Sequence, residues 1–159
     1  MAGTATPATA LLTRQRIPFR VHPYQVSPDT PDYGAAVALA LGVAAEQVFK
    51  TLVAQVDGAL AVGVVPVTGE LDLKAFAAAL GGKRAVLAER ALAERTTGYV
   101  RGGISPLGQR KRLPTVLDAS AQGFAEVYVS AGRRGLQLSL APADLLAAAA
   151  AHLAPIATP

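Results

Sequence analysis

Two stretches of the chain carry residue types whose spacing could do chemistry. Thr97 to Pro114 contains Gly98, Gly102, Gly103 and Gly108 with Pro106 and Pro114 between and after them. The glycines let backbone approach a ligand closely or turn through positive φ, and the prolines stiffen the path, so the stretch reads as a shaped loop and not a helix. It ends in Arg110, Lys111 and Arg112, three consecutive cations. Backbone amides followed directly by positive charge suit an anionic ligand. The second stretch holds Lys50, in a β-branched run where Val48, Leu52 and Ala54 share its face and Phe49, Thr51 and Val53 lie opposite. Neither face is plainly polar, so this lysine either snorkels at a sheet edge or points into a cleft.

Other chemistries find less support. Gly103 and Gly108 have the spacing of a nucleotide-binding P-loop, but Gln109 and Arg110 stand where that motif needs Lys and then Ser or Thr. His22 and His152 are far apart, and no local cluster of His or carboxylate has ligand spacing, so no metal is expected. His152 reads as a residue near a helix C-terminus. Ser105 or Ser130 with His22 and an aspartate would complete a triad on inventory, yet nothing resembles a nucleophile elbow. Tyr24, Tyr33 and Tyr99 could stack on an unpaired base or sit in the core or its rim.

Gly102-Gly-Ile-Ser-Pro-Leu-Gly-Gln-Arg-Lys-Arg-Leu-Pro114 closely resembles the signature of the YbaK family, whose members hydrolyse mischarged aminoacyl-tRNA and are related to the editing domain inserted in bacterial prolyl-tRNA synthetases. The likeness continues through Thr6-Pro-Ala, Gln47-Val-Phe-Lys-Thr-Leu52, Gly69-Glu-Leu-Asp-Leu-Lys74, Tyr128-Val-Ser130 and Arg133-Arg-Gly-Leu136, covering nearly the whole chain. It implies that Lys50 is the residue required for activity and that amides around Gly102 and Gly103 bind the ester carbonyl oxygen. It places Tyr24, Tyr33, Thr51, Ser105, Pro106, Ser130 and Gln137 at the substrate. Arg110, Lys111, Arg112, Arg133 and Arg134 would contact tRNA or a synthetase holding it.

The implied activity is trans-acting deacylation of mischarged tRNA, cysteinyl-tRNA(Pro) first and alanyl-tRNA(Pro) as the alternative. A reading from another class is a non-catalytic module that binds tRNA or a synthetase. The expected partners are the aminoacylated 3′ end of tRNA and prolyl-tRNA synthetase, with no cofactor, no membrane and no DNA. Two positions depart from the pattern. Gln137 stands where relatives close to this sequence tend to carry aspartate, and Ala131 where glycine is common.

The elements that must position these residues are legible from punctuation and periodicity. The chain has 159 residues, 52% of them apolar, enough for one domain spanning 1–159 with a proper core. It has no cysteine, no basic segment leading into an apolar run at its start, and no stretch long enough to span a membrane; a cytoplasmic location is expected. The net charge is +4, and between Gly98 and Gly135 six cations (Arg101, Arg110, Lys111, Arg112, Arg133, Arg134) face two acids, Asp118 and Glu126. That cluster is either a phosphate-binding surface or a solvated face.

Thr6-Pro7 should open a helix to about Arg16, followed by a strand from Phe19 to Pro23 and a helix from Tyr33 to Leu41 stopped by Gly42. Val48–Val56 and Leu60–Val65 flank Asp57-Gly58, the strongest hairpin signal. Asp72 should cap a helix to about Leu80, before a strand at Ala85–Leu87 and a helix at Glu89–Arg95. Thr115–Asp118, Glu126–Ser130 and Leu136–Leu140 read as strands, and Pro142 starts a helix to about Leu153. This order predicts an α+β domain with a mixed, mainly antiparallel sheet. The resemblance implies that the sheet is strongly curved and barrel-like.

Overall fold

A computed structural model describes residues 4–159. Helix α1 (Pro7–Arg14) begins on a capping box: Thr9 N–H donates to Thr6 Oγ1 at 3.1 Å while Thr6 N–H donates to Thr9 Oγ1 at 2.8 Å. The Thr6 hydroxyl also donates to the Ala131 carbonyl, so the helix start is tied to a distant strand. After β1 (Arg20–Pro23), Asp32 caps α2 (Tyr33–Leu41), and Gly42 ends it in the left-handed region at φ 71°. Strands β2 (Phe49–Val56) and β3 (Ala59–Pro66) pair over their full length. Their two-residue turn has φ 50° at Asp57 and 87° at Gly58, the pair of positive angles an Asp-Gly hairpin turn requires.

The chain continues through β4 (Glu70–Leu71), α3 (Leu73–Ala79, capped by Asp72), β5 (Ala85–Leu87) and α4 (Arg90–Thr97). Then follow β6 (Thr115–Asp118), β7 (Val127–Arg133), β8 (Leu136–Leu140), α5 (Pro142–Ala149), β9 (His152–Ala154) and β10 (Ala157–Thr158). The strands form three sheets, in the orders β5-β2-β3-β6-β9, β1-β8-β7 and β4-β10. Among the described strand pairs only β3–β6 and β6–β9 are parallel, beside an isolated parallel bridge between Val48 and Tyr128. The architecture is thus α+β with mixed sheets, and hydrogen bonding closes no barrel among the described residues.

The period of two in β2, β3 and β6 divides the core. Phe49, Val53, Val62, Val64 and Leu117 pack with Leu12, Leu107, Val129 and Leu138 on one face. Ala54, Val56, Ala61, Val65 and Val116 pack with Leu71, Phe76 and Ile156 on the other. Each fully buried side chain of the size of Phe76 contributes about 1.5–3 kcal/mol, so both faces hold the five-stranded sheet in place.

The C-terminal region corrects the expected helix to Leu153. Helix α5 stops at Ala149, Ala150 takes φ 51°, and His152–Ala154 joins the sheet beside β6. His152 is therefore a strand residue and not one at a helix end. The alanine run favours helix locally, but Val116 to Asp118 offers an unfilled sheet edge, and pairing with it wins. No helix among the described residues is long and apolar enough to cross a membrane.

Candidate active site

Strand β2 is paired with β3 throughout, but with β5 only from Ala54 to Val56. Its other edge, from Phe49 to Leu52, therefore carries no neighbouring strand among the described residues, and a cavity of about 550 Å3 opens there. Because the cavity wraps around an open edge, residues from both faces of the strand reach it, Lys50 and Leu52 from one and Phe49 and Thr51 from the other. Tyr33 comes from the start of α2, Ser130 and Gln137 from the β7–β8 pair, and Gly102 and Ile104 from the glycine-rich loop.

Lys50 lies at the cavity wall with its Nζ 3.4 Å from Glu70 Oε1. The Glu70 side chain is 78% exposed, so the pair is a loose surface contact that an anionic ligand could displace with little loss. Two atoms in the wall are less easily accounted for: Thr51 Oγ1 and Gln137 Oε1 are buried and have no hydrogen-bond partner among the described residues. An unsatisfied buried polar group costs about 1–3 kcal/mol, so such groups call for a bound partner. Ser130, opposite Gln137 in the ladder, accepts from Gly132 N–H at 3.1 Å across a bulge in β7.

Tyr33 Oη and Tyr24 Oη are 2.9 Å apart. Burial, reinforced by that hydrogen bond, pushes the Tyr33 phenol far above its usual range, so it stays protonated. Tyr24 is 8% exposed and stands behind Tyr33, outside the cavity wall. Tyr99 is a core residue whose hydroxyl donates to the Leu107 carbonyl at 2.6 Å, and burial lifts its phenol to about 12. Its side chain is not available for stacking on a base.

In the loop, Gly102 has φ 85° and lines the cavity. Its N–H has no acceptor among the described residues, whereas Gly103 N–H closes a turn onto the Val100 carbonyl at 2.9 Å. Arg134 Nε donates to the Arg101 carbonyl at 2.9 Å and lies across Gly102. Gly103 packs against the β7–β8 turn so closely that an added Cβ would lie 2.7 Å from Arg133 Cα and 2.8 Å from Arg134 N. Gly103→Ala should therefore force two backbones apart, lowering stability by about 1–3 kcal/mol and moving Gly102 with the loop. Thermal melting together with a ligand-binding assay checks it; a wild-type melting temperature would show that the loop can shift freely.

The remaining expected site residues stand apart from this cavity. Ser105 is fully buried, its hydroxyl accepting from Leu107 N–H, and Pro106 is buried beside it. Both shape the loop without reaching the cavity that Lys50 lines. Arg110, Lys111 and Arg112 are exposed, the first two anchored through their amides to the Thr97 and Thr96 carbonyls. Arg133 is half-buried at the end of β7.

Sequence reasoning missed five charged groups of the cavity: Asp32, Glu70, Arg90, Glu94 and Arg101. Arg101 N–H and Arg90 Nε both donate to Glu94 Oε2, at 2.8 and 3.2 Å, holding its carboxyl below the usual range. The i, i+4 spacing of Arg90 and Glu94 was a signal for their pairing, but nothing local linked either to Lys50. Among the described residues, no group of three His, Asp or Glu side chains gathers to hold a metal.

Comparison with known proteins places this geometry. Residues 27–148 match the family model described as an aminoacyl-tRNA editing domain. The chain is 37% identical over 155 residues to a protein of Enterococcus faecalis named as a candidate Cys-tRNA(Pro)/Cys-tRNA(Cys) deacylase, EbsC, covering 96% of this chain and 93% of that one. Its fold is similar to the crystal structure of a candidate trans-editing enzyme for prolyl-tRNA synthetase, with TM-score 0.86 and 24% identity over 100% of this chain and 99% of that one. It is also similar to the structure of the hypothetical protein APE2540, with TM-score 0.85 and 23% identity over 96% of this chain and 100% of that one.

Proposed function

The chain belongs to the aminoacyl-tRNA editing domain family, and from that premise we propose that it is a trans-acting deacylase that hydrolyses mischarged tRNA, cysteinyl-tRNA(Pro) foremost. The observation that carries this reading is the convergence on one cavity of a displaceable lysine and two unpaired buried polar atoms, Thr51 Oγ1 and Gln137 Oε1. A 3′-terminal aminoacyl ester offers an amine, a carbonyl and ribose hydroxyls, which are the partners those groups lack.

In this reading the Lys50 ammonium holds an oxygen of the 3′ end, whether phosphate, ribose or carbonyl. Attack on the ester carbon converts its carbonyl into an oxyanion, and the Gly102 N–H is the free donor beside it. One preorganised donor of that kind contributes about 3 kcal/mol to a tetrahedral intermediate. Gly103 supports the turn and leaves the donation to Gly102. Collapse of the intermediate breaks the bond to the ribose oxygen, which takes a proton, and releases the amino acid. The nucleophile is water or, for cysteine, the substrate's own thiol, which closes a cyclic thioester that water then opens. The second course asks least of the cavity's carboxylates, of which Glu94 is held by Arg90 and the Arg101 amide and Glu70 pairs with Lys50.

The physical rationale is that a synthetase pocket discriminates weakly against amino acids of similar or smaller size, so a second hydrolytic site adds fidelity. Further parts of the reading are a single editing domain over residues 1–159, a cytoplasmic location and prolyl-tRNA synthetase as partner. The parallel bridge between Val48 and Tyr128 supports reading the two larger sheets as one curved, barrel-like surface.

The test is single-turnover deacylation of cysteinyl- and alanyl-proline tRNA, with and without prolyl-tRNA synthetase. Cysteine should be released and alanine retained. Release of alanine alone would reassign the substrate. Release of neither, with tRNA still bound in a salt-sensitive way, would replace the enzyme by the binding module that the neutral Gln137 favours.

A further inference from the structure

A second cavity, of about 360 Å3, lies on the other side of the glycine-rich loop from Lys50. Its floor and walls are uncharged apart from two residues: Leu11 of α1, Leu113 and Ala149 of α5 stand beside the neutral polar Gln15, Gln109 and Thr115, and the charged groups are Arg14 and Arg112. No Asp or Glu lines it. This sets it apart from the first cavity, where Glu70 and Glu94 stand against Lys50 and Arg90. Arg14 and Arg112 make no ion pair among the described residues. Two guanidinium groups around an uncharged floor, without a balancing carboxylate, are a site for an anion.

One well-anchored loop contributes to both cavities. Gly102 and Ile104 line the first, Pro106 and Gly108 the second. Gly108 packs on the start of α1, where an added Cβ would lie 2.5 Å from the Pro7 carbonyl oxygen, and Leu107 is held by the Tyr99 hydroxyl. Along and beside the loop that lines both cavities, exposed cations follow one another. Arg134 binds the Arg101 carbonyl, Arg110 packs over Gly98 with its amide on Thr97, and Lys111 follows with its amide on Thr96, leading to Arg112 at the second cavity. A compact anion would need one end of this line. A strand that repeats a phosphate along its length could use all of it.

We infer that the cavity between α1, the segment following Pro106 and α5 binds a phosphodiester group of an RNA strand through Arg14 and Arg112, at the far end of a basic track that begins beside Gly102. The inference rests on the deacylase reading for the identity of the strand, the tRNA whose 3′ end enters the first cavity, but it concerns residues that play no part in the ester chemistry.

The test uses uncharged tRNA, so that binding is read without turnover. Equilibrium binding is measured between 50 and 300 mM salt for wild type, Arg14→Gln, Arg112→Gln and the double variant, each checked by thermal melting. The double variant should bind about tenfold more weakly at 100 mM salt, with a salt slope smaller by about 1–2. Hydrolysis of an aminoacylated 3′ trinucleotide, too short to reach the second cavity, should be unchanged. A double variant that melts like wild type and keeps its affinity and slope overturns the inference. So does an equal loss on the trinucleotide, which would place the effect in the first cavity. Failure of wild type to hydrolyse any aminoacyl-tRNA, with the binding difference intact, would sink the deacylase reading and leave the second site standing.

Discussion

Lys50→Ala is expected to slow single-turnover deacylation by about 10²–10³-fold at saturating protein, the scale of removing one group that stabilises developing charge in a water-poor site. The melting temperature should move by less than about 2 °C, because the residue's ion pair with Glu70 is loose and its partner is mostly exposed. The split between affinity and rate carries the information. If the ammonium only holds the RNA end, the variant binds more weakly but recovers the wild-type rate at saturation. If it also touches the reacting carbonyl, the rate stays low however much protein is added. Lys50→Met, which keeps the apolar stem, should behave like alanine, since the charge and not the packing does the work. Hydrolysis within threefold of wild type in both variants would remove Lys50 from the reaction and leave Gly102 and the unpaired Thr51 and Gln137 atoms to explain it.

Much of this was legible because the sequence marks its turns strongly. Thr6-Pro7, Asp57-Gly58, Asp72 and Gly98 each sit where the chain starts or stops an element, and the helices and strands they bound fall close to their expected places. What escaped reading lacks local signal. Strands β4 and β10 are two residues long, too short for any period, and exist because they pair with each other. The end of α5 falls inside an alanine run, at Ala150, a residue that gains nothing from φ 51°; only the sheet edge at β6 explains the stop.

The cavity was legible in a similar measure. Lys50, Thr51, Gly102, Ser130 and Gln137 line it, although they come from three distant segments. Ser105 and Pro106 do not, because Ser105 is buried in the middle of the loop and Pro106 lines the second cavity, and a residue list cannot say which side a loop residue faces. Glu70 and Glu94 could not be placed without the fold, since their distance to Lys50 and Arg101 follows from pairing between strands and from the turn after α4.

The largest stability effect is expected at Asp118, the last residue of β6, which is 6% exposed. Its Oδ1 accepts from Ile156 N–H at 2.9 Å and Ala157 N–H at 3.0 Å, and its Oδ2 from the amide and hydroxyl of Ser120. One buried carboxylate thus holds the junction between β9 and β10. Asp118→Ala leaves those donors without an acceptor, at a cost of about 3–5 kcal/mol. For a chain of this length that lowers the melting temperature by roughly 10 °C or more. Asp118→Asn keeps one acceptor oxygen of similar shape and should lose about half as much.

The effect should also reach the first cavity. Ile156 is fully buried under α3, its carbonyl accepts from Asp72 N–H at 2.7 Å, and Thr158 pairs with Glu70, the partner of Lys50. Loosening the C-terminal strands therefore frees Glu70 while Thr51, Gly102 and Gln137 stay on elements that Asp118 does not hold. Measured well below the melting transition, deacylation by Asp118→Ala should fall by less than about tenfold, far short of the Lys50 variant, because Glu70 only positions a lysine that the substrate itself can orient. Hydrogen exchange would locate the change, with amides at 156–158 and 70–72 losing protection first. An unchanged melting temperature would mean that water replaces the carboxylate at those amides and that the junction is held by the burial of Ile156 alone.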